Sequence, residues 1–205
     1  MRRPLFQGNF GVVDPAKVYR SAQPDRNLES TIQTNRLGSI VNLRGGTEAD
    51  AFYRHEVATT ERLRVEFYDL PLGATRRPSR RELMLAIAVL KHCRYPLLIH
   101  CKWGSDRTGL MSALYQLVIL GEPPETAMRQ FTAAHGHVPL FGPEHLHEPI
   151  DEYAAWLVKS NLKHNPSRFL NWLERVYRSE DAFGTWPTVR AGARSVVHSQ
   201  STIQN

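Results

Sequence analysis

The sequence predicts an α/β protein: a central, mainly parallel sheet of four to five strands flanked by helices. Short β-rich runs alternate with helical patterns through the middle of the chain. The run Pro96-Leu97-Leu98-Ile99-His100 is apolar almost throughout, as a strand covered on both faces is. With 205 residues, 41% hydrophobic and 22% charged, the chain is long enough to bury a core without staples and too apolar for a disordered chain.

Taken in order, Phe10–Val13 and Val18–Arg20 read as extended pieces broken by Asp14-Pro15. A polar helix is predicted from Pro24 to Asn35, with Gly38 after it. Ser39–Leu43 is a β-rich run stopped by Gly45-Gly46, and Glu48–Leu63 reads as a helix. Val65–Leu70 alternates and ends at Pro71, giving a second central strand. Ser79-Arg80-Arg81-Glu82 has the Ser-x-x-Glu form of a capping box and opens a helix running to Leu90. After the third strand, 96–100, helices are expected at Thr108–Leu120, from Pro123 to near Gly136, at Glu144–Lys159 and at Ser167–Tyr177. Residues 1–178 are therefore read as one domain. Residues 179–205, rich in Ser, Thr, Gln and Gly without periodicity, are read as a disordered tail.

Charge and composition exclude several classes. Two cysteines build neither a disulfide framework nor a four-Cys zinc site, which suggests a reducing, cytoplasmic setting. The basic start is not followed by the apolar core of a signal peptide, and no apolar stretch is long enough to span a bilayer. The net charge is +6, and all of it falls between Leu70 and Thr108: Arg76, Arg77, Arg80, Arg81, Lys91, Arg94, Lys102 and Arg107 against Glu82 and Asp106, 8 − 2 = +6. A surplus gathered in one window points to an anionic ligand or to a solvated basic face.

The segment His100-Cys101-Lys102-Trp103-Gly104-Ser105-Asp106-Arg107-Thr108-Gly109 favours the ligand. A cysteine leaves a buried strand, five residues follow, and an arginine opens a helix. Backbone N–H groups of such a tight loop converge on a tetrahedral oxyanion, and the helix N-terminus adds partial positive charge. Gly104 lets the loop curl, Arg107 offers two parallel donors to phosphate oxygens, and Thr108 can hydrogen-bond the sulfur. In that field Cys101 is expected as the reactive thiolate. With average residue frequencies the pattern arises by chance in roughly one such chain per million.

These residues resemble the cysteine-dependent protein tyrosine and dual-specificity phosphatase superfamily, whose signature is Cys-x5-Arg. Tyr19-Arg20-Ser21-Ala22-Gln23-Pro24, Ile40-Val41-Asn42-Leu43-Arg44 and the 100–109 loop look like the order in small bacterial and atypical plant/fungal-type members. The resemblance implies a dual-specificity-phosphatase-like fold, a phosphocysteine intermediate and no metal or other cofactor. Cys101 would attack phosphorus, Arg107 would hold the equatorial oxygens, and Lys102, Trp103, Gly104 and Ser105 would line the phosphate site.

The family usually supplies its general acid from an Asp about 30 residues upstream of the cysteine, near Asp69, but residues 72–78 beyond that strand contain no acid. Asp106, inside the loop, is the preferred alternative, since myotubularin-type and Sac-type phosphoinositide phosphatases carry Asp-Arg-Thr at the same place. Lys102 resembles the His-Cys-Lys start of tensin-homologue phosphoinositide phosphatases, and Arg76 and Arg77 fall where the acid loop overhangs the pocket. The expected substrate is a phosphorylated protein or another phosphate ester, with a phosphoinositide or inositol phosphate as the alternative. No nucleic acid is expected, and the sequence does not specify an oligomeric state. His135, His137, His145 and His147 read as surface or helix-terminal residues rather than metal ligands, and Cys93 as packing or as a resolving thiol.

Overall fold

The apolar run at 96–100 becomes the middle strand of its sheet. The computed structural model describes residues 8–140 and 142–178. Among these residues one sheet is formed by β1 (Gly11–Asp14), β2 (Val18–Ser21), β3 (Ser39–Asn42), β4 (Glu66–Asp69) and β5 (Leu97–His100). The order across it is β1-β2-β5-β3-β4. β2, β5, β3 and β4 run parallel, and β1 closes one edge as an antiparallel hairpin partner of β2.

Strand side chains alternate between faces, so neighbouring residues feed two different cores. Ile40, Phe67 and Leu98 point to a layer made with Leu28 and Ile32 of α1 (Leu28–Asn35) and Tyr53 of α2 (Ala51–Leu63). Val18, Val41, Leu97 and Ile99 join the larger layer with α3 (Arg80–His92), α4 (Asp106–Tyr115), α6 (Glu148–Lys159) and α7 (Pro166–Arg175). A single turn, α5 (Pro124–Ala127), lies between α4 and α6. The rings of Phe169 and Trp172 are buried around Tyr153, and dock the last two helices on this layer, as their helical spacing predicts.

Register places the site. Ser21, His100, Asn42 and Asp69 are level across the sheet. Cys101 therefore emerges at the carboxyl edge, between the segments that follow β2 and β3, where open parallel sheets form their ligand crevices.

The capping box forms: Glu82 N–H donates to Ser79 Oγ at 3.1 Å and Ser79 N–H donates to Glu82 Oε2 at 2.8 Å. Other boundaries differ from expectation. α1 begins only at Leu28. α4 begins at Asp106, and its last stretch, Gln116–Leu120, widens into a π turn that Gly121 ends at φ 71°. The helix expected from Pro123 to Gly136 is interrupted: α5 gives way to a 3-10 turn at Met128–Gln130, and Phe131 leaves helical geometry. A continuing helix would commit the Gln130 carbonyl to its own ladder, whereas here it accepts from Arg20 Nη1 at 2.9 Å. The helix expected at Glu144 opens as a 3-10 turn, Pro143–Leu146, before α6. The tail expected at 179–205 lies outside the described residues.

Ser79→Ala removes the acceptor at the start of α3 and should lower the unfolding free energy by about 1 kcal/mol. Urea denaturation followed by circular dichroism measures this, with catalytic rates expected to stay at the unmodified value.

Candidate active site

The loop after β5 is shaped from behind. The Lys102 carbonyl accepts from Gln23 N–H at 3.3 Å, and the Trp103 carbonyl from Asn9 Nδ2 at 2.9 Å. Arg20 Nη2 donates to the Gly104 carbonyl at 2.9 Å and to the Ser105 carbonyl at 3.3 Å. Across a trans peptide the carbonyl and the next N–H point in opposite directions. Four successive carbonyls pulled toward residues 9, 20 and 23 therefore turn the N–H groups of Trp103, Gly104, Ser105 and Asp106 to the other, concave side. This is an anion nest at the N-terminus of α4, with Cys101 at its floor. Cys101 is buried, as is Thr108 behind it, whose Oγ1 has no protein partner.

Gly104 is required at the tightest point. Its φ is 69°, and a Cβ there would lie 2.5 Å from Ala22 N and Ser21 C. The loop thus rests directly on the backbone that follows β2. Arg20 itself is fully buried and also reaches the Gln130 side chain with Nη1 at 3.0 Å. Burial pulls its guanidinium down to about 10, opposed by the charges of Cys101 and Asp106.

Arg107 Nη1 donates to the Leu43 carbonyl at 3.2 Å and to the Leu72 carbonyl at 3.4 Å. Those carbonyls lie in the segments that follow β3 and β4, so both segments help to fix the guanidinium through Nη1. Behind Cys101, the buried His100 Nε2 and Glu56 Oε1 are 2.5 Å apart. Gln23 Nε2 donates to Glu56 Oε2 at 3.0 Å, and Arg44 Nη1 donates to Gln23 Oε1 at 3.4 Å. Gln23 therefore ties the loop and the strand carrying the cysteine to α2.

Asp106 sits in the first turn of α4, its Oδ1 accepting from Ser105 Oγ at 3.0 Å and from His137 Nδ1 at 2.7 Å. Asp69, at the end of β4, is buried and accepts from Tyr53 Oη at 3.0 Å. Lys102 and Trp103 stand on the rim, with Lys102 Nζ 5.1 Å from the indole centroid and Trp103 68% exposed. Arg76 and Arg77 are engaged by carboxylates. Arg76 Nη1 donates to Glu82 at 2.9 Å, while Arg77 bonds Glu152, lies 3.6 Å from Glu148 and stacks on the Tyr177 ring. A substrate reaching for either guanidinium has to compete with these partners.

Cys93 is buried at the C-cap of α3, and burial pushes its thiol up, away from the reactive thiolate. His145 and His147 bond Glu148 and Asp151 through Nδ1 at 2.8 and 2.6 Å. Among the described residues no group of three or more His, Cys, Asp or Glu is placed to hold a metal ion. No helix among them is long and apolar enough to cross a membrane.

Sequence reasoning noticed the Tyr19–Pro24 segment but gave Arg20 and Gln23 no role, and it did not select Asn9 or His137. An arginine between Tyr19 and Ser21 in a short strand was the available signal for a buried cation. Asn9 carried none.

The sheet order, the nest at its carboxyl edge and the cysteine–arginine pair define the dual-specificity-like class of cysteine-dependent phosphatase folds. Residues 7–188 match the model of the tyrosine phosphatase family, and the chain belongs to that family. The dual specificity protein phosphatase TpbA of Pseudomonas aeruginosa is 26% identical over 161 residues, 74% of this chain and 67% of that protein. In a second strain of that bacterium the match to TpbA spans 49% of the relative's length. The crystal structure of TpbA superposes with a TM-score of 0.55 at 21% identity, covering 74% of this chain and 91% of that one. The core catalytic domain of the PP-IP phosphatase SIW14 from S. cerevisiae gives 0.57 at 19% identity, covering 75% and 93%.

Gly104→Ala forces a side chain into the backbone after β2 and into a left-handed conformation that alone costs about 1–3 kcal/mol. Thermal melting should shift down, and inhibition by inorganic phosphate should weaken by at least about tenfold as the nest opens.

Proposed function

We propose that the chain hydrolyses phosphate monoesters through a phosphocysteine intermediate and that its substrates are phosphorylated proteins, phosphotyrosine foremost. The observation that carries this reading is the set of four tethered carbonyls, which turns a row of N–H donors toward the one cysteine at the floor of the loop.

In the first step the Cys101 sulfur attacks phosphorus in line while the N–H groups of 103–106 and the Arg107 fork hold the three equatorial oxygens. The ester P–O bond breaks, and the leaving oxygen takes a proton from Asp106. In the second step water attacks phosphorus, its proton passes to Asp106, and the P–S bond breaks to return the thiolate and release phosphate. The Thr108 hydroxyl, which has no protein partner, donates to the departing sulfur. Lys102, Gly104 and Ser105 complete the phosphate site, and Trp103 offers its exposed indole to the group that carries the phosphate. Asp69 is the other candidate acid, with its Oδ2 already bonded by Tyr53.

The exposed indole of Trp103, two residues after the nucleophile, supports an aryl phosphate. TpbA, the relative 26% identical, is named a dual specificity protein phosphatase and has been crystallised with pTyr. A phosphoinositide or inositol phosphate is the second reading, favoured by Lys102 beside the nucleophile. The two free cysteines fit a cytoplasmic setting.

Phosphate release from phosphotyrosine peptides and from inositol polyphosphates, measured side by side, tests the substrate. Peptides are expected to be turned over faster, and the reverse order would move the assignment to inositol phosphates. Cys101→Ser should bring both to background. Asp106→Asn should slow alkyl phosphates by about 10²-fold or more and aryl phosphates much less. An equal loss on both, or a larger selective loss from Asp69→Asn, would remove Asp106 from the acid's role.

A further inference from the structure

His137 lies outside the loop and its strands, yet its Nδ1 is 2.7 Å from Asp106 Oδ1. The imidazole is buried, and its Nε2 has no protein partner. Resting on the assignment of Asp106 as proton donor, we propose that His137 is the positioning residue of that carboxyl group, fixing which oxygen faces the substrate.

Three features hold the imidazole in place. The Phe131 ring packs where a side chain on Gly109 would stand, 3.0 Å from an added Cβ, so the segment leading to His137 is seated on α4 itself. Asn9 Nδ2 bonds the His135 carbonyl at 2.9 Å with the same amide that holds the Trp103 carbonyl, which couples the two segments directly. The His137 ring makes edge contacts with Phe131 and His147, at 5.1 and 5.4 Å between centroids. Such enclosure fixes a side chain at low conformational freedom, as a group that orients another must be.

The bonding is one-sided. Ser105 Oγ and His137 Nδ1 both engage Oδ1. Oδ2 is left as the oxygen that gives a proton to the leaving group and takes one from water. The charged and titratable groups facing this pair are Arg20 from β2, Cys101 at the loop floor and Arg107 beside it, with His147 packed on His137 and bonded to Asp151. His135, on the same segment, is driven down to about 4 by burial and by Arg20, so it contributes no charge near neutral pH. Asp151 bonds His147, whose ring packs edge-on against His137, and His137 in turn bonds Oδ1 of Asp106, away from the reacting oxygen. Of these residues only Asp106 touches substrate.

Removing the Nδ1–H donor should cost the Asp106 carboxyl group its fixed orientation. His137→Phe retains a ring against Phe131 and His147 and removes the donor. His137→Asn places an amide N–H where Nδ1–H was. With an alkyl phosphate, His137→Phe should lower kcat about tenfold with KM little changed. Aryl phosphate turnover should change much less, and His137→Asn should restore the alkyl ester rate. His137→Ala, measured in the same way, serves if the phenylalanine variant does not fold. An unchanged kcat on the alkyl ester, no rescue by His137→Asn, or an equal loss on alkyl and aryl esters would overturn the role of His137. Asp106→Asn run in parallel separates the two ideas. If it shows no dependence on leaving group, the acid assignment fails and the inference with it. If it shows that dependence while His137→Phe does not, only the inference fails.

Discussion

A buried guanidinium that must find partners is the constraint around which the site is arranged. Taking an arginine out of water costs several kcal/mol unless its donors are used, and Arg20 is fully enclosed at the end of β2. It meets that cost with the Gly104 and Ser105 carbonyls on one side and with Gln130 on the other. The first pair turns the loop's amides toward an anion. The second stops the helix after α5 and sends the chain back past Asp106. Arg20 is in turn kept charged by Cys101 and Asp106, against the pull of its own burial. The cation and the nest stabilise each other.

The surplus of basic residues between Leu70 and Thr108 divides into two populations in the structure. Arg76 is held by Glu82, Arg77 by Glu148 and Glu152, and Arg94 by Glu66 at 3.2 Å. Arg80 donates to the Tyr177 carbonyl at 2.7 Å. These residues link α3 to α6, to β4 and to the segment after α7, and much of their field is neutralised locally. Lys102, Arg107 and the buried Arg20, which lies outside that window in sequence, supply the potential at the nest. Total charge pointed to the right chemistry, but for only part of the right reason.

What could be read from the sequence was whatever depends on neighbours along the chain. The Ser79–Glu82 capping box, the covered strand 97–100 and the loop's order of cysteine, glycine and arginine are local patterns, and each appears as an element of the structure. What could not be read depends on separations of 84 residues for Arg20 to Gly104, 94 for Asn9 to Trp103 and 31 for His137 to Asp106. Nothing local marks an asparagine whose amide bridges two loops. The segment after Gln130 was read as helix because propensity carries no information about a carbonyl taken by a distant guanidinium. His137 was read as a surface residue for the same reason.

The position of β5 between β2 and β3 has a consequence for how the molecule comes into being. The strand that delivers Cys101 is a late entrant. It has to close loops back to residues 18–21 and 39–42, and such non-local parallel pairing is slow to form. Until it docks, Asn9, Arg20 and Gln23 have no carbonyls to hold, and the cysteine leads into an unshaped chain. The phosphate site can therefore form only once β5, the last strand of the sheet in sequence, has paired between β2 and β3.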